Sequence, residues 1–229
     1  MKIATDIPNR MVFDLELAKP IPDGRNGRPN WDAAPKCGIS VLCGWPAQQM
    51  YPYTWLLDNE RLPRVFLTED HAAKQFAKAD GVVSWNGASF DNKVMKVAAP
   101  EAYDAYIEMK HVDLMAICAL IGAGVDPDKI AQGVPEDWQK LANTLSGGFL
   151  SKGWGLDGVA KTTLGSAGKM EGMGGAMAPK AWQQGRYSEV ASYCAGDVAL
   201  TRALYVHAWV EGWLESPENG RVDIPREVL

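Results

Sequence analysis

Two carboxylates alternate with apolar residues in a short stretch near the beginning of the chain. In MVFDLEL, residues 11–17, the alternation is typical of a β-strand, with Phe13, Leu15 and Leu17 on one face and Asp14 and Glu16 on the other. Because a strand rises by about 3.3 Å per residue, the two carboxylates are expected roughly 6–7 Å apart. Repulsion between such close charges is relieved by a divalent cation, or by water if this face of the strand is exposed.

A second acidic residue lies in WNGASFD, residues 85–91. The pattern predicts a strand that ends at Trp85, a sharp turn that Gly87 permits, and a helix capped by Ser89. Asp91 then falls in the first helical turn at the carboxyl edge of the sheet, where open sheets bind ligands. The alternative is that Asp91 only stabilises the helix dipole.

A third acidic residue, Asp197, lies within a predicted long helix. At 100° per residue, one helical face carries Val190, Tyr193, Cys194, Asp197, Thr201 and Leu204. An unpaired carboxylate in such an apolar stripe costs on the order of several kcal/mol, so Asp197 needs a cation or another partner. Arg202 is expected to point elsewhere, whereas the hydroxyl of Tyr193, one turn earlier, can reach the same point.

The three segments together carry Asp-x-Glu, Asn-Gly-x-x-Phe-Asp and Tyr-x-x-x-Asp in that order. This series resembles the DEDD exonucleases, which have the RNase H-like fold, over about residues 11–205. The tyrosine resembles that of the DEDDy branch, which includes the proofreading domains of DNA polymerases. The histidine branch would carry its histidine where this chain has Ser192. The resemblance extends to Leu156-Asp157-Gly158-Val159-Ala160, similar to the helix that precedes the last motif in that family.

The resemblance implies a metal-dependent 3′–5′ exonuclease. Asp14, Glu16, Asp91 and Asp197 would hold two Mg²⁺ or Mn²⁺ ions, one activating a water and one stabilising the leaving oxygen. Tyr193 would hold the attacking water rather than act as a strong base, since the free phenol has a pKa of about 10. The expected substrate is the 3′ end of a single-stranded nucleic acid, with DNA favoured over RNA, and the product a nucleoside monophosphate.

Five further residues are candidates for substrate binding. Asn86 and Phe90 would position the scissile nucleotide or Asp91, and Leu17 would wedge the terminal bases, although core roles are open for Phe90 and Leu17. Lys169 and Lys180 flank a glycine-rich stretch and are candidates for contacts with backbone phosphates.

Four other residues are candidates for supporting roles or for base stacking. Asp113 follows a predicted strand and is a candidate for supporting the carboxylates that bind metal. The tryptophans are expected to serve packing first, but Trp31, Trp154 and Trp182 fall in predicted loops and are candidates for stacking on bases.

The elements that must position these residues form an α/β fold. We expect an RNase H-like mixed β-sheet, an antiparallel meander plus parallel strands, flanked by helices. Predicted strands are residues 11–17, 37–45, 53–58, 64–67, 81–85 and 111–113. Predicted helices begin after Thr68, near Ser89 and after Asp113, followed by 136–145, 156–164 and 188–213. Residues 19–36 and 122–135 are predicted loops, and residues 165–178 a mobile glycine-rich loop.

Length and composition suit one domain over residues 1–229, with a core at about 11–213 and a polar tail at 214–229 that carries an edge strand at 221–224. The four cysteines form no CxxC pair, which is typical of reduced thiols. The N-terminus lacks the apolar centre of a signal peptide and no apolar run suits a membrane span, so a cytoplasmic location is expected.

The formal charge of −5 argues against a protein that coats nucleic acid by charge alone, but not against an enzyme that binds a few phosphates through cations. Any polymerase, replication or repair partner would be a separate chain. Two alternatives stay open: an RNase H-like endonuclease or resolvase, and a non-catalytic nucleic-acid-binding or interaction module on the same fold.

Overall fold

The computed structural model describes residues 6–25, 27–58, 60–62, 68–147, 153–165 and 168–229. The strand predicted at residues 64–67 lies outside the described residues. Within them, one sheet is formed by β1 (Met11–Leu17), β2 (Ile39–Pro46), β3 (Tyr53–Leu56), β4 (Val82–Ser84) and β5 (His111–Asp113).

The sheet is mixed, as the sequence predicts. Its strand order is β3-β2-β1-β4-β5, with antiparallel pairing from β1 through β3 and parallel pairing of β4 with β1 and β5. The central strand β1 is apolar enough to be covered on both faces, because one face carries Phe13 and Leu15 and the other Val12. The two faces pack into separate hydrophobic cores.

Helices cover both faces of the sheet. They are α1 (Glu69–Phe76), α2 (Asp91–Ala98), α3 (Pro100–Asp104), α4 (Leu114–Gly122), α5 (Pro127–Ala131), α6 (Trp138–Ser146), α7 (Leu156–Leu164), α8 (Ala178–Gln183) and α9 (Tyr187–Glu211). Buried residues of α1, α2 and α3 join the core that contains Phe13, whereas α4, α7 and α9 pack on the opposite core. The long helix α9 therefore lies over the face of β1 that carries Asp14 and Glu16.

Two loop predictions are wrong in part. Residues 122–135 contain α5, which Asp126 caps by accepting the backbone N–H of Asp128 and which begins with proline at its first position. Residues 19–36 run into a 3₁₀ helix at Trp31–Cys37. The described part of the glycine-rich stretch folds into turns.

The C-terminal residues depart further from expectation. The long helix ends at Glu211, because Gly212 takes a left-handed conformation with φ 78°. Strands β6 (Trp213–Ser216) and β7 (Gly220–Asp223) then form an antiparallel hairpin. The strand predicted at residues 221–224 is thus confirmed to within one residue, whereas β6 was not predicted. Leu214 and Leu229 are fully buried in the core beside α9, so the core continues past the boundary predicted at residue 213.

All four cysteines are free and buried, as expected of reduced thiols. None of the helices in the described part of the chain combines the length and apolar character that a membrane span requires.

Candidate active site

Three carboxylates from opposite ends of the sequence meet between β1 and α9. One ligand atom each from Asp14, Glu16 and Asp197 lies within 4.8 Å of the others. The alternation of β1 turns the first two toward α9, and the helical period of α9 turns Asp197 toward β1. The thiol of Cys194 also contacts the backbone oxygen of Asp14 at 3.4 Å, which fixes the helix against the strand.

The helical face predicted around Asp197 is confirmed. Tyr193, Asp197 and Thr201 are all buried, and Tyr193 lies one turn before Asp197. Arg202 points away from the carboxylates, as predicted: it donates to the backbone oxygen of Ala47 at 2.6 Å and lies over the ring of Trp45.

A lysine from the glycine-rich stretch enters the carboxylate cluster. The ammonium group of Lys169 forms an ion pair with Asp197, donates to the Tyr193 hydroxyl at 3.1 Å and lies 5.2 Å from the centre of that ring. Burial lowers the pKa of the ammonium, but Asp197 and Tyr193 outweigh that effect and raise it above its ordinary value. Lys169 therefore brings a positive charge to Asp197, and this charge also acts on Asp14 and Glu16.

Helix α7 anchors the backbone of this lysine. Asp157 accepts the Lys169 backbone N–H at 2.7 Å and the Lys161 ammonium at 2.8 Å. The preceding Gly168 has φ 81°, and a Cβ there would clash with Asp157 and Lys161. This role of Asp157 was missed from the sequence, because an Asp and a Lys four residues apart indicate only an ion pair on a helix surface.

Asp91 approaches the cluster from α2. It is 4% exposed and lies outside the three-residue group defined above, yet the charges of Asp14 and Glu16 act on it electrostatically. The cap predicted for α2 is wrong. Phe90, not Ser89, occupies the N-cap position, and no side chain caps the helix, because the turn continues through Phe90 before α2 begins.

Asp113 holds the turn that precedes Asp91. Its carboxylate accepts the backbone N–H groups of Asn86 at 2.9 Å, Ala88 at 3.0 Å and Ala116 at 3.1 Å. The last of these caps α4. Burial raises the pKa of Asp113 to about 6, against the lowering effect of these backbone donors. Asp113 thus supports the loop that carries Asp91, in line with the supporting role considered from the sequence.

The turn itself needs two unusual residues. Asn86, rather than Gly87, takes the left-handed conformation, with φ 69°, which asparagine tolerates better than most residues. Gly87 is required for space, because a Cβ there would clash with Ser84. The side-chain oxygen of Asn86 accepts from Gln139 at 3.1 Å, which ties the turn to α6.

The carboxylates repel one another in this buried site. Burial and the charge of Asp197 raise the pKa of Asp14 to about 7. Burial and neighbouring carboxylates also raise the pKa of Glu16 and Asp91 well above their ordinary values. Burial and Asp197 raise the pKa of Tyr193, so the phenol is neutral near pH 7.

The residues fit a divalent cation. Oδ1 of Asp197 is buried without a hydrogen-bond partner among the described residues, a costly arrangement that a cation would relieve. The donor set consists of carboxylate oxygens, which suit Mg²⁺ and Mn²⁺. One lysine cannot balance four carboxylates, so the cluster favours further positive charge.

The other candidates for substrate binding are dispersed. Leu17 is 5% exposed in the core on the opposite face of β1, so contact with a base stays a prediction. Lys180 is exposed on α8, and no hydrogen bond or ion pair joins it to the carboxylates in the described structure. Of the three tryptophans considered for stacking, Trp154 and Trp182 are fully buried, whereas Trp31 is 63% exposed and contacts Phe90.

A known family model matches most of the chain. The RNase_H_2 family model, described as RNase_H superfamily, matches residues 40–209, about three quarters of the chain. This range includes Asp91, Tyr193 and Asp197 and begins after β1. A search of curated proteins gives no significant match. The mixed sheet, its flanking helices and the extent of the match establish that the chain belongs to the RNase H superfamily.

Proposed function

We propose that this protein is a metal-dependent 3′–5′ exonuclease that hydrolyses single-stranded nucleic acid to nucleoside monophosphates. Members of the RNase H superfamily generally hydrolyse phosphodiester bonds, and membership supports a nuclease-type function. The observation that carries the proposal is the meeting of Asp14, Glu16 and Asp197 within 4.8 Å, with Tyr193 one turn from Asp197.

The cofactors we propose are two Mg²⁺ or Mn²⁺ ions, held by Asp14, Glu16, Asp91 and Asp197. When bound, they would supply Lewis-acid polarisation of the phosphate and a more acidic attacking water. These carboxylates would hold the cations, and their raised pKa values would make cation binding dependent on their deprotonation.

In hydrolysis, the water oxygen forms a new bond to phosphorus and the bond from phosphorus to the 3′ oxygen of the penultimate nucleotide breaks. That 3′ oxygen takes up a proton, and the terminal nucleotide leaves as a 5′-monophosphate. The neutral hydroxyl of Tyr193 suits a group that orients the attacking water, because its raised pKa keeps it protonated near pH 7 and leaves no phenolate to act as a base.

The position of the Lys169 ammonium group supports the proposal that it binds a phosphate of the substrate. Its ammonium group already lies beside Asp197 and Tyr193, where an incoming phosphate would need a positive charge. It is 27% exposed, so a non-bridging phosphate oxygen can approach from the solvent side.

The test is a time course with Mn²⁺ on 5′-labelled single-stranded DNA and RNA, with a circular single strand in parallel. We expect a ladder that shortens from the 3′ end, with the circle intact. Asp14→Asn and Asp91→Asn should abolish it, whereas Asp223→Asn, an exposed carboxylate on the C-terminal hairpin, should not.

Other outcomes point to the alternatives. Cleavage of the circle would support an RNase H-like endonuclease or resolvase. Binding of both polymers without cleavage by the metal-loaded protein would support a non-catalytic module. The sugar of the degraded polymer would decide between DNA and RNA.

A further inference from the structure

An exposed tryptophan lies next to the candidate active site. Trp31 begins the 3₁₀ helix that leads into β2 and is 63% exposed, unlike the fully buried Trp154 and Trp182. Most of the indole ring is therefore accessible to a ligand.

Its position is fixed relative to Asp91. The ring centres of Trp31 and Phe90 are 6.0 Å apart at an interplanar angle of 84°, an edge-to-face contact. Phe90 directly precedes Asp91, and the 3₁₀ helix packs against α2. An edge-to-face contact does not stack the two rings, so it leaves a face of the indole open to a third planar group.

The segment that carries Trp31 lies at the same end of the sheet as Glu16. The residues after the 3₁₀ helix enter β2 at Ile39, which pairs with Leu17 at the carboxyl end of β1. This is the end near Glu16, whereas the turn between β2 and β3 lies at the opposite end, beyond the pair of Met11 and Pro46.

The charge around Trp31 is opposite to that of the whole chain. Residues 19–37 contain four basic and two acidic side chains, a net of +2, in a protein of formal charge −5. Exposed Arg25 and Arg28 line a surface concavity of about 440 Å³ together with Trp31, and Asp32 also borders it. Among the described residues of this segment, the backbone N–H of Gly24 donates to the oxygen of Arg28 at 2.7 Å, and Asp23 and Pro29 form an isolated antiparallel bridge.

We propose that Arg25, Arg28 and Trp31 form a platform for the single strand next to the nucleotide at the carboxylates. Trp31 stacks on a base, and the two guanidinium groups bind the backbone phosphates that flank it. We expect the platform to bind strands without preference for base sequence, because every base has a π-face. This inference rests on the proposed function for the position of the scissile nucleotide, but not for the binding itself.

The experiment measures fluorescence anisotropy of labelled oligo-dT and oligo-rU, from dinucleotides to twelve nucleotides, in an Asp91→Asn background that cannot hydrolyse them. Trp31→Ala should weaken binding of the long oligonucleotides roughly tenfold and leave dinucleotide binding unchanged. Trp31→Phe should retain most of the affinity, because phenylalanine keeps a stacking face. Tyr51→Ala is the matched control, since Tyr51 is 74% exposed in the turn at the other end of β1.

A second measurement separates phosphate contacts from stacking. The Arg25→Ala, Arg28→Ala double variant should reduce the salt slope of binding by about 1.4, or about 0.7 for each phosphate contact that the substitutions remove. In the active protein, Trp31→Ala should raise KM for long strands, whereas the control Tyr51→Ala should not.

The outcomes distinguish this proposal from the exonuclease proposal. One outcome would contradict the platform and leave the exonuclease proposal standing. In it, strands are degraded, but in Trp31→Ala and Tyr51→Ala the binding affinity depends on oligonucleotide length as it does in the parent protein. If nothing is degraded but Trp31→Ala still weakens binding of long strands, the platform stands and the exonuclease is wrong. Failure of the parent to bind long strands better than dinucleotides would overturn the platform.

Discussion

Lys169 is the residue on which charge balance in the carboxylate cluster depends. It pairs with Asp197 and contacts Tyr193, so the same ammonium group is placed to compete with a cation at Asp197 and to attract a phosphate. These two effects have opposite consequences for a variant, which makes Lys169 informative to change.

We expect Lys169→Met to tighten Mn²⁺ binding and to weaken single-stranded substrate binding. The first follows because a competing positive charge is removed, and the second because the ammonium group can no longer bind a phosphate. The salt slope of substrate binding should fall by about 0.7. Metal titration followed by melting temperature and anisotropy at several salt concentrations would measure both effects.

Lys180→Met is the matched control for that experiment, since Lys180 is exposed on α8 and no hydrogen bond or ion pair joins it to the carboxylates in the described structure. Both lysines are predicted from the sequence to bind phosphates. An unchanged slope in Lys169→Met would rule out its phosphate contact, and a reduced slope in Lys180→Met would establish one that the structure does not suggest.

At the scale of elements, the position of Asp91 depends on how β4, β5 and α4 meet. Asp113 ends β5, caps α4 and holds the Asn86–Ala88 turn by backbone hydrogen bonds. A single buried carboxylate thus couples β5 and α4 to the loop that carries a proposed metal ligand.

We expect Asp113→Asn to reduce the free energy of unfolding by about 1–3 kcal/mol, because one side-chain acceptor is replaced by a donor that faces a buried N–H. At a temperature where the variant is fully folded, its initial rate should still be lower than that of the parent, because Asp91 is less well placed. Urea denaturation and initial rates would measure the two effects. Asp126→Asn, a change in the exposed cap of α5, is the control and should cost much less. Equal losses of stability and of activity in the two variants would contradict the supporting role of Asp113.

At the scale of the whole molecule, the carboxylate cluster should link stability to metal. Mg²⁺ or Mn²⁺ should raise the melting temperature, because the ions bind the folded state preferentially. Asp197→Asn should remove most of that rise, since it discharges the buried group whose Oδ1 has no partner in the described structure. Differential scanning fluorimetry with and without metal is the measurement. An equal rise in the variant would mean that the ions bind elsewhere.

The same cluster should also affect the pH dependence of the metal-free protein. The folded pKa of Asp14 is about 7 and that of Glu16 is raised, so between about pH 4 and 7 the folded state binds more protons than the unfolded state. Their contribution to stability is therefore present at low pH and is lost as pH rises through the folded pKa. In EDTA, wild type should lose more stability from pH 5.5 to 8 than the Asp14→Asn, Glu16→Gln variant.

That comparison uses the difference between two proteins because other groups titrate as well. Burial lowers the pKa of His111 to about 4 in the folded state. The contribution of His111 to stability therefore decreases as the pH falls below about 6.5, the pKa of histidine in the unfolded chain. This contribution is common to both proteins and cancels. Parallel stability curves for the two proteins would contradict the prediction.

Much of the site was determined by the sequence, because periodicity within one element is fixed by backbone geometry. The two-residue period of β1 put Asp14 and Glu16 on one face, and the 3.6-residue period of α9 put Tyr193 and Asp197 on its buried face. The mixed character of the sheet also followed from the alternation of strands and helices along the chain.

Only the tertiary structure decided what comes to these residues from elsewhere in the chain. Neither the arrival of Lys169 beside Asp197 nor its anchoring by Asp157 follows from local pattern, because both depend on how a glycine-rich turn packs against two helices. The same holds for Trp31, whose exposure beside Phe90 depends on the packing of a loop against α2. Contacts between segments distant in sequence are set by the packing of the whole core, whereas the face that a side chain occupies is set by its own strand or helix.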